Sequence, residues 1–234
     1  MNPSLEYSGK PSGWMTPICC WVCCSLLLVI GACAPHQTIP KESAQSLGIR
    51  SILVVPFKNV TIEQGMDKSI RCSLCGQVAL TGPVLDDAPF SLTSRLMTLL
   101  QPLSYTLVPG DDVESILSGM DSDKKMSSEL DRYVRLGNQK GVDAVLVGHI
   151  FRYTERLGNR YSIQSPASVA FDLHLIRIRD EQIVWLGHFD ETQQALTDNL
   201  LKADSFFKRG GAWITADELA FSGLEDVVGR FPKP

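Results

Sequence analysis

Two groups of residues in the sequence have types and spacings that could do chemistry, and the first is a cysteine pair. Cys72 and Cys75 lie in the stretch RCSLCGQ, whose C-x-x-C spacing suits a redox dithiol, half of a zinc site or a local disulfide. Gly76 stands where a c-type haem motif has histidine. The chain has no H-x₃₋₅-H, and its other C-x-x-C, Cys20 to Cys23, lies in the apolar run at the start of the chain, so nothing in the rest of the sequence pairs with Cys72 and Cys75 to complete a zinc site by motif. The neighbouring glycines and Pro83 describe a loop, which favours a loop disulfide or a pair of adjacent thiols.

The second group consists of aspartates and histidines that mirror each other across a predicted turn, as Asp172-x-His174 and His188-x-Asp190. Because side chains alternate along a strand, each aspartate shares a face with its histidine. A three-residue turn at 180–182 would pair the two histidines and, two residues further on, the two aspartates. Such a set suits Zn²⁺ or a similar ion. A two-residue turn would place the histidines on opposite faces of the sheet.

The favoured interpretation of the same residues is a solvent-facing polar row, because alternating polar side chains are typical of a half-buried antiparallel strand. The sequence analysis therefore predicts no metal and no cofactor. Asp172, His174, His188 and Asp190 remain candidates for a metal site, and the register of the hairpin decides whether they can meet.

The elements that position these residues are predicted from apolar runs and turn residues. Strands are predicted in SILVVPF (51–57), SYTLVP (104–109) and DAVLVGHIFRYTE (143–155). Residues 58–87 are predicted to be irregular. Helices are predicted near 92–100 with Ser91 or Thr93 as N-cap, from Asp111 onward, and near 130–136 with an end by Gly141.

The second half of the chain is predicted to form a long antiparallel hairpin over 167–193, made of ASVAFDLHLIRIR and IVWLGHFDETQ. Two helices are predicted after it, near 196–207 and over 216–228 with Thr215 as N-cap. The order of elements predicts a single α/β domain with a mixed β-sheet and packed helices. One face of the hairpin is predicted to be buried against helices, with the four polar residues outside or at its rim; that buried face holds Val169, Phe171, Leu173, Trp185 and Phe189.

Three stretches carry a resemblance to a known group: ILVVPFKN, TLVPGDDVESIL, and GVDAVLVGHIFRY followed by the long hairpin. They resemble the periplasmic domains related to the N-terminal domain of TolB. That superfamily includes the curli secretion lipoprotein and the lipoprotein activator of penicillin-binding proteins. The resemblance covers about 52–191 and implies a lipid-anchored binding or assembly module of the bacterial envelope. The insertion at 58–87 and the segment 213–231 depart from the pattern of these families.

The start of the chain holds a predicted targeting segment. The apolar run at 17–34 ends in small residues rather than a charged stop, which favours a signal sequence over a membrane span. Ile30-Gly31-Ala32-Cys33 resembles the bacterial lipobox, in which the cysteine is acylated and becomes the mature N-terminus. The resemblance implies a signal peptide at 1–32, a lipidated tether at 33–48 and a periplasmic domain at 49–234. The residue after the cysteine is Ala34 rather than aspartate, as in lipoproteins that are sorted to an outer membrane, which the chain resembles in this respect. The alternative is an ordinary signal peptide that is cleaved without acylation.

Charge and motifs narrow the classes of function. The formal net charge is −4 and no cluster of Lys or Arg occurs, which argues against nucleic-acid binding. Serine-hydrolase, P-loop and dinucleotide-binding motifs are absent from the sequence. We therefore expect a non-enzymatic, periplasm-facing outer-membrane lipoprotein that binds an envelope protein, with homo-oligomer formation left open. The alternative is a metal-dependent or redox periplasmic enzyme that uses the hairpin residues or the cysteine pair.

The lipobox-like tetrapeptide predicts that the Cys33→Ser variant is not acylated and is released from the membrane, because the acyl chains supply the anchoring energy. Labelling with a fatty-acid analogue and membrane flotation measure both effects. Persistent acyl label on the variant would contradict the prediction.

Overall fold

The structure, a computed structural model, describes residues 47–64, 69–120, 128–160, 162–194 and 213–233. These residues all belong to one compact unit, 39–234. The predicted signal peptide, Cys33, most of the tether and the predicted helix at 196–207 lie outside the described residues. The helices found within the described ranges are too short or too polar to cross a membrane.

The predicted strands and helices that fall on described residues are found in the predicted order, and the structure adds five short strands and one short helix that the sequence does not predict. The strands are β1 (Ser51–Val54), β2 (Lys58–Asn59), β3 (Ser69–Arg71), β4 (Val78–Leu80), β5 (Thr106–Pro109), β6 (Ala144–Thr154), β7 (Leu157–Gly158), β8 (Ile163–Ser165), β9 (Ser168–Arg177) and β10 (Gln182–Thr192). The helices are α1 (Thr61–Gln64), α2 (Ala88–Leu100), α3 (Val113–Met120), α4 (Glu129–Lys140) and α5 (Ala216–Val228), with 3₁₀ turns at Gln101–Leu103 and Ile178–Asp180.

The main sheet has the strand order β10–β9–β6–β1–β5, and β2 also pairs with β6. β1 is parallel to both β5 and β6. β6, β9 and β10 are successively antiparallel. The predicted class, an α/β fold with a mixed sheet and a long antiparallel hairpin, is confirmed.

One face of the sheet packs against α2 and α5. Val169, Phe171 and Leu173 of β9 are fully buried in this core, and Trp185 and Phe189 of β10 pack against it. The rings of Phe171 and Phe189 lie 5.3 Å apart between centroids. The predicted buried face of the hairpin is therefore confirmed.

The opposite face of the sheet is also covered. Val147 of β6 packs in a cluster with Leu136 of α4. Further along the same strand, Phe151 packs in another cluster with Ile70 and Ala79, which belong to the small antiparallel hairpin β3–β4. The segment predicted to be irregular thus forms a hairpin that closes this face, and the central strands are buried on both sides.

Two helix ends follow the predicted signals. The side chain of Ser128 accepts the N–H of Asp131 at the start of α4, and Gly141 ends the helix with φ of 66°, a left-handed conformation that glycine adopts without strain. Thr215 and Glu218 form a capping box at the start of α5.

The predicted N-caps of α2 are wrong. The helix begins at Ala88, so Ser91 and Thr93 lie inside it. The hydroxyl of Thr93 donates to the carbonyl oxygen of Pro89 at 2.6 Å and accepts the backbone N–H of Phe57 at 2.9 Å. Thr93 therefore ties the segment after β1 to the helix instead of starting the helix.

The turn of the long hairpin is longer than either turn considered from the sequence. Arg177 pairs with Gln182, which leaves residues 178–181 to connect the strands. Glu181 completes the turn with φ of 59°. A bulge between Ile183 and Trp185 then shifts the register. Relative to the pairing that a three-residue turn at 180–182 would give, the turn and the bulge together shift the register by two residues. A shift of two keeps each side chain on the same face of the sheet but changes the residue opposite it.

The register corrects the predicted pairing of polar residues. His188 lies opposite Asp172, and His174 lies opposite Leu186. The pairs of histidine with histidine and of aspartate with aspartate, which a three-residue turn would give, are therefore not formed. All four polar residues still share one face of the hairpin.

The two-sided core predicts that Phe171→Ala lowers the free energy of unfolding by about 3–5 kcal/mol, because it empties a buried aromatic site. Phe90→Ala is the matched control: Phe90 is 77% exposed, and its loss should change stability by less than about 0.5 kcal/mol. Urea denaturation measures both values. Equal effects of the two substitutions would contradict this packing.

Candidate functional site

Four polar residues from distant parts of the chain meet between the β3–β4 hairpin and β9. The ligand atoms of Cys72, Cys75, Asp172 and His174 all lie within 4.8 Å of one another. We refer to these four residues as the Cys–His–Asp cluster. The two groups that the sequence suggests separately thus form one site.

The loop of the β3–β4 hairpin presents both cysteines. The backbone N–H of Cys72 donates to the carbonyl of Gln77 at 2.7 Å, and the N–H of Gly76 donates to the carbonyl of Cys72 at 2.9 Å. Gly76 has φ of 74°, which closes the loop directly after Cys75. Both cysteines are free thiols in the structure. Backbone hydrogen bonds thus hold the two sulfur atoms toward β9.

Strand β9 contributes the other two members, because alternation places Asp172 and His174 on the same face. Asp172 is 1% exposed and His174 is 0% exposed, so the prediction that they lie outside or at the rim is wrong. The physical reason is that the β3–β4 hairpin covers this face of the sheet. His188 and Asp190, whose side chains are each 31% exposed, do lie at the rim as predicted.

Each thiol faces one side chain of β9. Sγ of Cys72 lies 3.5 Å from Nε2 of His174, and Sγ of Cys75 lies 4.0 Å from Oδ2 of Asp172. The second imidazole nitrogen of His174, Nδ1, is buried and has no hydrogen-bond partner among the described residues. The four groups therefore form two facing pairs.

His188 supports the cluster from β10. Its Nδ1 lies 2.6 Å from Oδ1 of Asp172, which leaves Oδ2 of the same carboxylate directed toward Cys75. This hydrogen bond raises the pKa of His188, with burial acting in the opposite direction. Asp190 points elsewhere and pairs with Arg152. His188 thus orients the carboxylate, and Asp190 takes no part.

His149 of β6 extends the cluster, and the sequence analysis missed it. It lies opposite Asp172, with Nδ1 at 3.7 Å from Sγ of Cys72 and Nε2 at 3.3 Å from Oε1 of Glu129. Burial alone would lower the pKa of His149, but the contacts with Cys72 and Glu129 outweigh it and the pKa is raised. One signal was available: alternation places His149 between Val147 and Phe151, as a polar residue in an apolar row.

Glu129, the first residue of α4, joins the inserted segment to the sheet. Ser73 donates a hydrogen bond to its carboxylate, Tyr133 donates another at 3.3 Å, and Nζ of Lys58 lies 3.9 Å away. Burial would raise the pKa of Glu129, but His149 and these neighbours lower it to about 2. The carboxylate is therefore ionised at neutral pH. No sequence pattern marks Glu129, because its role depends on where α4 lies.

The two thiols differ in acidity and access. The contact with Cys72 lowers the pKa of Cys75 to about 7, whereas the same contact and burial raise the pKa of Cys72. Cys72 is 3% exposed and Cys75 is half-buried. The cluster can do two kinds of chemistry: it can bind a divalent cation through sulfur, nitrogen and oxygen, or it can undergo dithiol–disulfide exchange.

No family model and no curated protein matches the chain. Solved structures do match. A PelC variant dodecamer from Paraburkholderia phytofirmans has a TM-score of 0.48 at 11% identity, over 85% of this chain and 96% of that chain.

Lipoproteins are also among the similar structures. Lipoprotein GNA1162 from Neisseria meningitidis has a TM-score of 0.38 at 18% identity, over 69% of this chain and 99% of that chain. The C-terminal domain of LpoB from Salmonella enterica has a TM-score of 0.35 at 14% identity, over 64% of this chain and 92% of that chain. All three likenesses are at 18% sequence identity or less.

The unequal thiols predict that iodoacetamide alkylates Cys75 before Cys72 in reduced, chelator-treated protein at pH 7, because Cys75 is more accessible and about half thiolate there. Peptide mass spectrometry measures the two rates. In a Cys75→Ser variant, only the slow alkylation of Cys72 should remain. Equal rates at both cysteines in the folded protein would contradict the prediction.

Proposed function

We propose that the chain is a lipoprotein anchored at the bacterial outer membrane through Cys33, whose periplasmic domain binds another envelope protein. The lipobox-like Ile30-Gly31-Ala32-Cys33 supports the anchor. The observation that carries the binding role is the concentration of exposed apolar side chains on one stretch of the chain.

Of the six large apolar side chains exposed among the described residues, five lie between positions 62 and 90. A contiguous patch of exposed apolar side chains typically marks an interaction surface, and we infer that these five side chains contribute to one such surface. The five residues, which we call the apolar surface set, are Ile62 (79% exposed), Val78 (54%), Leu80 (61%), Leu85 (40%) and Phe90 (77%).

The β3–β4 hairpin shows how this surface arises. Strand β4 alternates, so Ala79 faces inward at 2% exposure while Val78 and Leu80 face outward. The inward face of the hairpin covers the Cys–His–Asp cluster. The outward face carries Val78 and Leu80, and both side chains are exposed in the part of the chain that the structure describes.

The charges near the apolar surface set favour a protein partner over a lipid surface. Asp86 and Asp87 are exposed beside Leu85, and the whole chain carries a formal net charge of −4. An anionic membrane surface attracts basic segments and repels acidic ones. Leu47 is buried in the core, so the tether ends before it. A tether over 33–46 could extend about 45 Å, far enough for the domain to meet a partner away from the membrane.

The alternative function is a metal-dependent or redox enzyme that works at the Cys–His–Asp cluster. An enzyme needs its substrate to reach the reacting groups, and Cys72, Asp172 and His174 are each exposed by 3% or less. Such burial suits a structural role better than turnover of a substrate. We therefore favour the binding role.

A photo-crosslinking amino acid placed at Val78 or Phe90 is predicted to give a discrete protein adduct in intact cells. The same amino acid at Leu157, which is 59% exposed but lies outside the apolar surface set, is the matched control. A Leu80→Ser change should reduce the Val78 adduct while altering the free energy of unfolding by less than about 0.5 kcal/mol, as is usual at exposed positions.

Three outcomes of the crosslinking experiment would count against the proposal. They are adducts of lipid alone, equal adducts from position 157, and adducts only between two copies of this chain. Adducts between two copies would indicate a self-association surface rather than a surface for another envelope protein.

A further inference from the structure

The Cys–His–Asp cluster has a composition that the proposed binding role does not explain. Two thiols, a carboxylate and an imidazole converge on one point, although burying such groups without partners is costly. Oδ2 of Asp172 has Cys75 at 4.0 Å as its neighbour in the cluster, and Nε2 of the fully buried His174 faces Sγ of Cys72 at 3.5 Å. A cation at the centre would compensate these groups.

We propose that Cys72, Cys75, Asp172 and His174 bind a Zn²⁺ ion that fastens the β3–β4 hairpin to the central sheet. This inference goes beyond the proposed binding function and does not depend on it. The site takes two ligands from the hairpin loop and two from β9, so the ion links segments that lie about one hundred positions apart in the sequence, as for Cys72 and His174.

The distances between the ligand atoms fit a tetrahedral ion. Zn–S bonds of about 2.3 Å and Zn–N or Zn–O bonds of about 2.0–2.1 Å place neighbouring ligand atoms roughly 3.5–3.6 Å apart, and two sulfur atoms about 3.8 Å apart. The distance from Sγ of Cys72 to Nε2 of His174 is 3.5 Å. The distance from Sγ of Cys75 to Oδ2 of Asp172 is 4.0 Å. All ligand atoms lie within 4.8 Å of one another, so small side-chain movements complete the geometry.

The groups behind the ligands are those that a zinc site uses. His188 holds Oδ1 of Asp172 at 2.6 Å and leaves Oδ2 for the ion. Outer hydrogen bonds of this kind orient a metal ligand and strengthen binding. On the other side, His149 lies next to Cys72 and contacts the carboxylate of Glu129.

The charge balance favours a divalent ion. On binding, each thiol that still carries its proton releases it to solvent, so both sulfur atoms bind as thiolates. Zn²⁺ with two thiolates, one carboxylate and a neutral imidazole carries a net charge of −1. In this arrangement Nδ1 of His188 donates to the carboxylate of Asp172 and Nδ1 of His149 donates to the thiolate of Cys72, and both contacts stabilise the anionic centre. Mixed sulfur and nitrogen ligands in a tetrahedral arrangement suit zinc better than the oxygen-preferring Mg²⁺ or Ca²⁺.

A disulfide between the cysteines explains less of the geometry. Oxidation of Cys72 and Cys75 would use the two thiols alone. It would leave Oδ2 of Asp172 and Nε2 of His174 without a partner in the cluster, although Oδ1 of Asp172 would keep His188. The structure instead pairs each thiol with one ligand of β9. A four-coordinate ion needs all four groups, which is why we assign the cluster to a metal.

The test uses the full-length protein as expressed, purified in detergent under reducing conditions. Elemental analysis should find about one Zn²⁺ per chain, and a chelator should remove it with a lowered melting temperature. Replacement by Co²⁺ should give visible absorption bands typical of tetrahedral cobalt, together with a thiolate-to-cobalt charge-transfer band in the near ultraviolet. Hydrogen exchange at residues 69–80 should increase when the ion is removed.

The variants separate ligands from neighbours. Cys75→Ser and His174→Gln should each lose the stoichiometric ion, and Cys75→Ser carries the lesser risk to folding because Cys75 is only half-buried. His188→Gln should retain the site but weaken affinity about 10–100-fold. Asp190→Asn is the matched control on the same face of β10, since Asp190 pairs with Arg152, and it should bind Zn²⁺ as the unchanged protein does.

Several results would overturn the assignment. The unchanged reduced protein could take up neither Zn²⁺ nor Co²⁺, or its cobalt form could lack the thiolate band. A folded Cys75→Ser variant could keep its ion with unchanged affinity. Isolation of the protein as a Cys72–Cys75 disulfide that takes up no metal after reduction would favour redox chemistry instead. None of these readouts depends on partner binding.

Discussion

The constraint on which the structure depends is that the central strands β6 and β9 are buried on both faces. Apolar side chains on one face build the core against α2 and α5. The other face must also be desolvated, although Asp172 and His174 of β9 lie on it. Buried polar groups require partners, so the hairpin β3–β4 and the start of α4 are needed to supply them. The insertion is therefore part of the folding solution for the sheet.

The partners are arranged as a connected network rather than as separate pairs. His149, Asp172 and His188 lie side by side across three neighbouring strands, and Glu129 and Cys72 close the network from the covering elements. In a desolvated setting such contacts are stronger than in water, and an unpaired member is more costly. The same network holds the hairpin in place, and the outward side of that hairpin carries exposed apolar side chains. The Cys–His–Asp cluster and the exposed side chains of Val78 and Leu80 therefore lie on opposite faces of the β3–β4 hairpin.

Much of the fold follows from local signals. Apolar runs predicted the strands, and leucines at helical spacing predicted α2. Thr215 and Gly141 marked two helix ends, because capping is a local hydrogen-bonding effect. The buried face of the long hairpin also followed from alternation. The caps of α2 did not, because the hydroxyl of Thr93 bonds across to Phe57. Long-range contacts of this kind leave no local trace.

By itself, the sequence determined the order of elements, the α/β class, the lipobox-like start and the residue types able to do chemistry. Only the tertiary structure decided that the cysteine pair and Asp172-x-His174 form one cluster. Alternation says which side chains share a face, but not what covers that face. The turn at 178–181 and the following bulge set which residues are opposite, and the placement of Glu129 depends on the docking of α4. These are properties of packing between distant segments, which periodicity along a single chain cannot encode.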